Sequence, residues 1–181
     1  IREDGQCAGR QSTKNIQITS KTDKPGIDIH ILPGTRGETV YIPACVTHSA
    51  VDDLVYNDFY VGEGADVTII AGCGVHADGE EDARHNGIHR FILHKNAHVL
   101  YVEKHLGTGD GTGARKIDPA TEVEQEEGSQ MEMETTQIGG VDLTHRTMKA
   151  KLAAGAKLKV RERLLTDGSQ QAFTDFVVEL N

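Results

Sequence analysis

Short apolar–polar alternations cut by glycine, an internal repeat of about 30 residues and almost no helical periodicity predict an all-β chain. Two architectures satisfy these observations: a β-solenoid of stacked coils, and an antiparallel sandwich or barrel in which similar hairpins recur. The chain has 181 residues, and only 4% of them are aromatic, with no Trp. One domain is therefore expected, with a core of Val, Ile, Leu and Ala.

In chain order the alternating segments are Asn15 to Thr19, Ile27 to Leu32, Thr39 to Ile42, Leu54 to Val61, Val67 to Ile70, His89 to Leu93, His98 to Glu103, Met131 to Thr135, Val141 to Leu152, Lys157 to Leu165 and Phe173 to Leu180. Their Val, Ile, Thr and Tyr content favours strand over helix. Residues 1–14 are expected to be a flexible stretch, and residues 15–181 the folded core. Asp78 to Asn86 reads as an acidic loop or one or two helical turns. Gly107 to Gly113, with glycine at every second position, reads as a mobile connector.

The repeat carries the most information. Val61 to Ile69 is echoed by Leu93 to Tyr101 and by Leu152 to Val160, with fainter copies at Gln125 to Met133 and Arg36 to Ile42. The turn residues align as Gly37, Gly64, Asn96, Gly128 and Gly155, at spacings of 27, 32, 32 and 27. Gly and Asn are the residues that tolerate a left-handed backbone. A unit of strand, tight turn and strand has one apolar face to bury, and stacked copies bury it continuously.

Lys and Arg number 19 against 28 Asp and Glu, a formal net charge of −9. A nucleic-acid binder needs the opposite surplus to displace counterions from phosphates, so that class is excluded. No apolar run reaches the ~18 residues of a membrane-crossing helix. Ile1-Arg2-Glu3-Asp4 has neither an initiator Met nor a signal-peptide core, so the chain reads as a piece of something longer. Three Cys without paired spacing do not form a disulfide framework and fit a reducing cytoplasm.

Gly107 to Gly113 lacks the Gly-Lys-Ser/Thr ending of a phosphate loop, and no Gly-x-Ser-x-Gly elbow is present, so neither nucleotide hydrolysis nor a serine hydrolase is supported. The acidic strings at Glu122 to Glu127 and Glu132 to Glu134 read as the solvated face of strands. Between Cys73 and His98 stand Cys73, His76, His85, His89, His94 and His98. Thiolate and imidazole suit iron and zinc, and Cys73-x-x-His76 offers two ligands to one ion, so Cys73, His76, His85 and His89 are the metal candidates. The competing reading makes Cys73 a small buried hydrophobe and the histidines exposed strand residues. His94 and His98 flank a turn and read as surface groups. Cys45 reads as core, and Cys7 as part of a disordered terminus.

The ordered motifs Val61-Gly-Glu-Gly-Ala-Asp-Val, Ile70-Ala-Gly-Cys73, His85 and His94-Lys-Asn-Ala-His-Val-Leu-Tyr101 resemble the SufB/SufD family of iron–sulfur cluster assembly proteins. Further matches are Glu126-Glu-Gly-Ser, Gln137 to Asp142 and Arg161 to Thr166, and Ala71-Gly-Cys-Gly-Val-His76 is most similar to the short SufB/SufD-like forms. The resemblance implies a right-handed parallel β-helix that acts as an assembly scaffold rather than an enzyme. It implies a SufC-like ATPase and a sulfur donor as partners, and a paralogue or a second copy in the complex. It also implies a transient iron–sulfur cluster as cargo, with none held tightly. Cys73 matches the core Cys that handles sulfur, and His85 the His of a Leu-His-Ala segment, which makes both cofactor-binding candidates. The family's C-terminal region, with a further Cys and a SufC-docking helical segment, lies beyond Asn181. An alternative within the resemblance is a structural, dimerising member that binds no cluster.

Overall fold

In a computed structural model describing residues 1–181, the chain forms fifteen strands and no helix. The strands alternate between two sheets, so each coil contributes one strand to each. The coils are β4 (Gly26–Ile31) with β5 (Arg36–Val46), β6 (Asp52–Val61) with β7 (Asp66–His76), and β8 (Ala83–Leu93) with β9 (His98–Thr108). They continue through β11 (Ala120–Gln125) with β12 (Gln130–Ile138), preceded by β10 (Arg115–Ile117), then β13 (Leu143–Leu152) with β14 (Lys157–Leu165), and last β15 (Gln171–Leu180). Successive coils pair in parallel throughout. Antiparallel pairs occur only at the N-terminal end, between β1 (Arg2–Glu3) and β2 (Gln6–Cys7) and between β3 (Ile16–Ser20) and β4. The fold is a parallel β-solenoid of about five coils, and parallel pairing excludes the sandwich and barrel.

The predicted corners carry the stack. Gly64, Asn96, Gly128 and Gly155 all have positive φ, and the N–H groups of Gly64, Asn96 and Gly128 donate to the corner of the next coil at 3.0, 3.1 and 3.2 Å. Gly37 also has positive φ, but it lies where β5 shifts register against β7, and the first corner is Gly34, which donates to Glu63 O at 2.9 Å. The corner spacings are therefore 30, 32, 32 and 27. After each of the first four corners comes a small buried residue, Thr35, Ala65, Ala97 and Ser129, and after the last the half-buried Ala156.

Residues 1–14, expected to be a flexible stretch, include two short strands. β1 adds to the edge of β5, and Arg2 reaches the buried Asp53 with Nη2 2.6 Å from Oδ1. The ion pair and the strand edge hold the segment, and neither is visible in local composition. Of the two readings of Asp78 to Asn86, the helical turns are absent: residues 78–82 form a loop, and Ala83–Asn86 begins β8.

The Gly107 to Gly113 run is a packed seam. A Cβ at Gly107, Gly109, Gly111 or Gly113 would lie 1.8, 2.1, 2.5 or 1.9 Å from the carbonyl oxygen of Gly140, Ala77, Gly79 or Glu81. Alternate glycines are required because one side of this segment lies directly on neighbouring backbone. Gly113→Ala is expected to lower stability by about 1–3 kcal/mol through overpacking. Gly72→Ala, whose Cβ meets nothing, is expected to stay within ~0.5 kcal/mol. Urea unfolding midpoints of the two variants check the contrast.

Inward residues divide the interior into zones. Near the corners an apolar cluster centres on Phe59, Phe91, Ile69, Val99 and Met131, with the Phe59 and Phe91 rings stacked 4.5 Å apart between adjacent coils. Towards the opposite edge lies a smaller cluster that includes Val46, Cys73, Val75, Ala83 and Ile117. Buried polar residues fill the space between: Asp53, Asn57, His85, His89, Glu103, His105, Gln137, Thr144 and Arg146. At the last coil Phe176, Val178 and Leu180 pair in register with the buried Met148, Ala150 and Leu152, and all three are exposed.

Candidate functional site

Parallel in-register stacking turns a sequence separation of 32 into a contact between coils. Cys73 pairs with His105 and Ala71 with Glu103 across β7 and β9, and His105 pairs with Gln137 across β9 and β12. On the other sheet Asp53 pairs with His85 and Asn57 with His89. All of these side chains point inward, because a strand alternates its faces with period two.

Ligand atoms of Cys73, Glu103 and His105 all lie within 4.8 Å of one another, and all three residues are buried. His105 Nδ1 lies 3.2 Å from Gln137 Oε1, an acceptor, so Nδ1 carries the proton and donates. In the neutral ring the lone pair is then on Nε2. Nε2 is buried and makes no hydrogen bond; the nearest carboxylate oxygen, Glu103 Oε1, is 3.3 Å away but not aligned for one. A buried lone pair beside a thiol and a carboxylate suits a soft or borderline metal ion.

Charge in this layer is arranged around Glu103. Arg146 Nη1 donates to Glu103 Oε2 at 2.8 Å, and Arg146 Nε lies 2.8 Å from Glu162 Oε1. Burial alone would raise the Glu103 carboxyl, but the positive charge of His105 when that ring is protonated, and of Arg146 throughout, outweighs it and holds the carboxyl well below the usual carboxylate range. Burial, with Glu103 adding to it, pushes the Cys73 thiol well up. Cys73 is thus a thiol until a metal displaces its proton.

Beside this trio lies a histidine pair. His85 Nδ1 donates to Asp53 Oδ2 at 3.0 Å, and Arg2 grips the same carboxylate with Nε 2.9 Å from Oδ2. Burial opposes ionisation of Asp53, but its hydrogen bonds from His85 and Arg2 win and hold it at about 2. His89 Nδ1 is 2.7 Å from the Tyr101 hydroxyl, and Nε2 is 3.2 Å from Asn57 Nδ2. Burial lowers His89 to about 4, so it is neutral near pH 7. A cavity of about 720 Å³ is lined by Arg2, Asn57, Cys73, His85 and His89 together with residues of the N-terminal strands.

His76 does not join Cys73. Three positions along a strand reverse the face, and His76 points outward with Nδ1 3.0 Å from Thr108 Oγ1. His94 and His98 lie on the surface, paired with Glu126 and Asp66 at 3.1 Å. Cys45 is half-buried and Cys7 exposed. The acidic strings face solvent, where Glu124 and Glu132 pair with Arg90 and Lys159 on neighbouring coils. Glu103 and His105, absent from the sequence-derived candidates, follow from adding the 32-residue coil to Ala71 and Cys73.

No family model, curated protein or solved structure matches the chain. No helix is long and apolar enough to cross a membrane.

Proposed function

We propose that this chain is a scaffold component of a SUF-type iron–sulfur cluster assembly complex in the cytoplasm, in which Cys73, Glu103 and His105 hold iron and sulfide as cargo. The observation that carries the reading is the buried thiol, carboxylate and unpartnered imidazole nitrogen within 4.8 Å of one another. Cys73 supplies the sulfur ligand, His105 a lone pair whose direction Gln137 sets, and Glu103 a carboxylate kept ionised by Arg146. Nucleotide chemistry would come from a SufC-like ATPase, and sulfur from a separate donor.

Anaerobic reconstitution with ferrous iron and sulfide tests this. Cys73→Ala is expected to lose the bound iron and sulfide and the visible absorption of the wild-type chain. Equal metal content and spectra in both would overturn the assignment.

One observation favours the second reading, a dimerising module that holds no cluster: the uncovered Phe176, Val178 and Leu180 on the last coil. A paralogue or second copy seated there would bury them. Concentration-dependent sizing with no iron uptake would select that reading.

A further inference from the structure

We infer that the interior carries a second metal site, in which His85 and His89 bind one divalent ion of the iron or zinc type through their Nε2 atoms, in the space left by Gly87. The inference does not depend on the assembly-scaffold reading.

His85, Gly87 and His89 are consecutive inward positions of β8. A Cβ at Gly87 would lie 3.0 Å from His89 Nε2 and 3.5 Å from His85 Nε2, so the two nitrogens converge on that space. Nothing else lies so near it: the closest contacts are imidazole atoms, whereas the glycines of the 107–113 seam face backbone. Glycine inside a strand costs stability relative to alanine. Here no positive φ and no backbone approach asks for it. What its absence of a side chain provides is room between two imidazole nitrogens.

Both rings are oriented from behind. His85 Nδ1 donates to the Asp53 carboxylate, itself held by Arg2, and His89 Nδ1 meets the Tyr101 hydroxyl. With Nδ1 carrying the proton, Nε2 presents the lone pair, which is how outer-shell partners prepare a metal-binding histidine. His85 Nε2 makes no hydrogen bond of its own. His89 Nε2 accepts only a long bond from Asn57 Nδ2 at 3.2 Å. An ion replaces that bond, and rotation of the Asn57 amide offers Oδ1 as a third ligand. The 720 Å³ cavity on which Asn57, His85 and His89 open supplies the route and the room for water ligands.

Anaerobic cobalt(II) titration of the full chain tests the site, with visible absorption reporting ligand type. Cys73→Ala is expected to bind one cobalt with d–d bands and no thiolate charge-transfer band. Adding Gly87→Ala fills the space while keeping both histidines, and is expected to weaken that binding at least about ten-fold with an unchanged far-ultraviolet circular dichroism spectrum. Should this variant fail to fold, His85→Gln in the Cys73→Ala chain takes the same readout. Failure of Cys73→Ala to bind cobalt, or undiminished binding when the space is filled or His85 is replaced, would overturn the inference. Neither outcome bears on iron and sulfide loading at Cys73.

Discussion

Arg146→Met is expected to lower the unfolding free energy by about 3–5 kcal/mol, the cost of leaving a buried charge without its partner. Glu103 is fully enclosed, and its aligned charge-assisted bond is the one from Arg146 Nη1 at 2.8 Å. Methionine fills much of the arginine volume and leaves the carboxylate facing a misaligned His105 nitrogen. Glu162, the second carboxylate on this guanidinium, loses its cation as well. Glu103→Gln combined with Arg146→Met removes the charge along with its partner, so the double variant is expected to regain a large part of the loss. Urea unfolding of the four chains in a double-mutant cycle measures the coupling. Strict additivity of the single variants would show that the pair does not interact. A buried ion pair is a poor device for stability alone, since packed apolar residues do as well or better. Its presence beside Cys73 and His105 is better accounted for by the charged carboxylate it maintains there.

The corners and the alternation were legible because both are local. Positive φ selects Gly or Asn at each corner, and a strand buried on one face must alternate, so Gly64, Asn96, Gly128 and Gly155 align without any knowledge of neighbours. What depends on contact between coils was not legible locally. Gly107 to Gly113 has a mobile connector's composition, yet each alternate glycine answers to a carbonyl about one coil earlier or later in sequence. The first corner was misplaced by three residues because Gly37 shares the positive φ of a corner and serves a register shift instead. In the candidate site the same division holds. Cys73, His85 and His89 stood out by residue type, whereas Glu103 and His105 looked like ordinary members of a charged strand. Only the coil length brings them over Ala71 and Cys73. His76 shows the converse error, since three positions is a natural spacing for two ligands in a loop and the wrong one along a strand.

The metal-free chain is expected to lose about 3 kcal/mol of stability between pH 6.5 and pH 4, through His89. In the unfolded chain this imidazole titrates near its ordinary 6.5, whereas burial lowers it to about 4 in the fold. Between those values the unfolded chain binds a proton that the folded chain refuses. Stability therefore rises with pH across this window, by up to about 1.4 kcal/mol per unit, and the contribution is fully present above 6.5. Below 4 both states are protonated and it stops changing. The depressed carboxylates act lower: Asp53 moves from 3.8 to about 2, so its contribution is present above 3.8 and is lost as pH falls through 2. Glu103, starting from 4.5, likewise acts below that value. His48 shifts in the opposite direction, but it is on the surface, where solvent screens its partners. These carboxylates therefore act below most of the window in which His89 loses its contribution. Urea midpoints at pH 7, 6, 5 and 4.5 measure the slope, and His89→Gln is expected to flatten it while lowering the midpoint at pH 7, because the bond to Tyr101 is lost. An unchanged slope in His89→Gln would assign the acid lability elsewhere. The burial that makes this imidazole acid-sensitive also keeps it unprotonated near pH 7, the state in which its Nε2 lone pair is free to bind an ion.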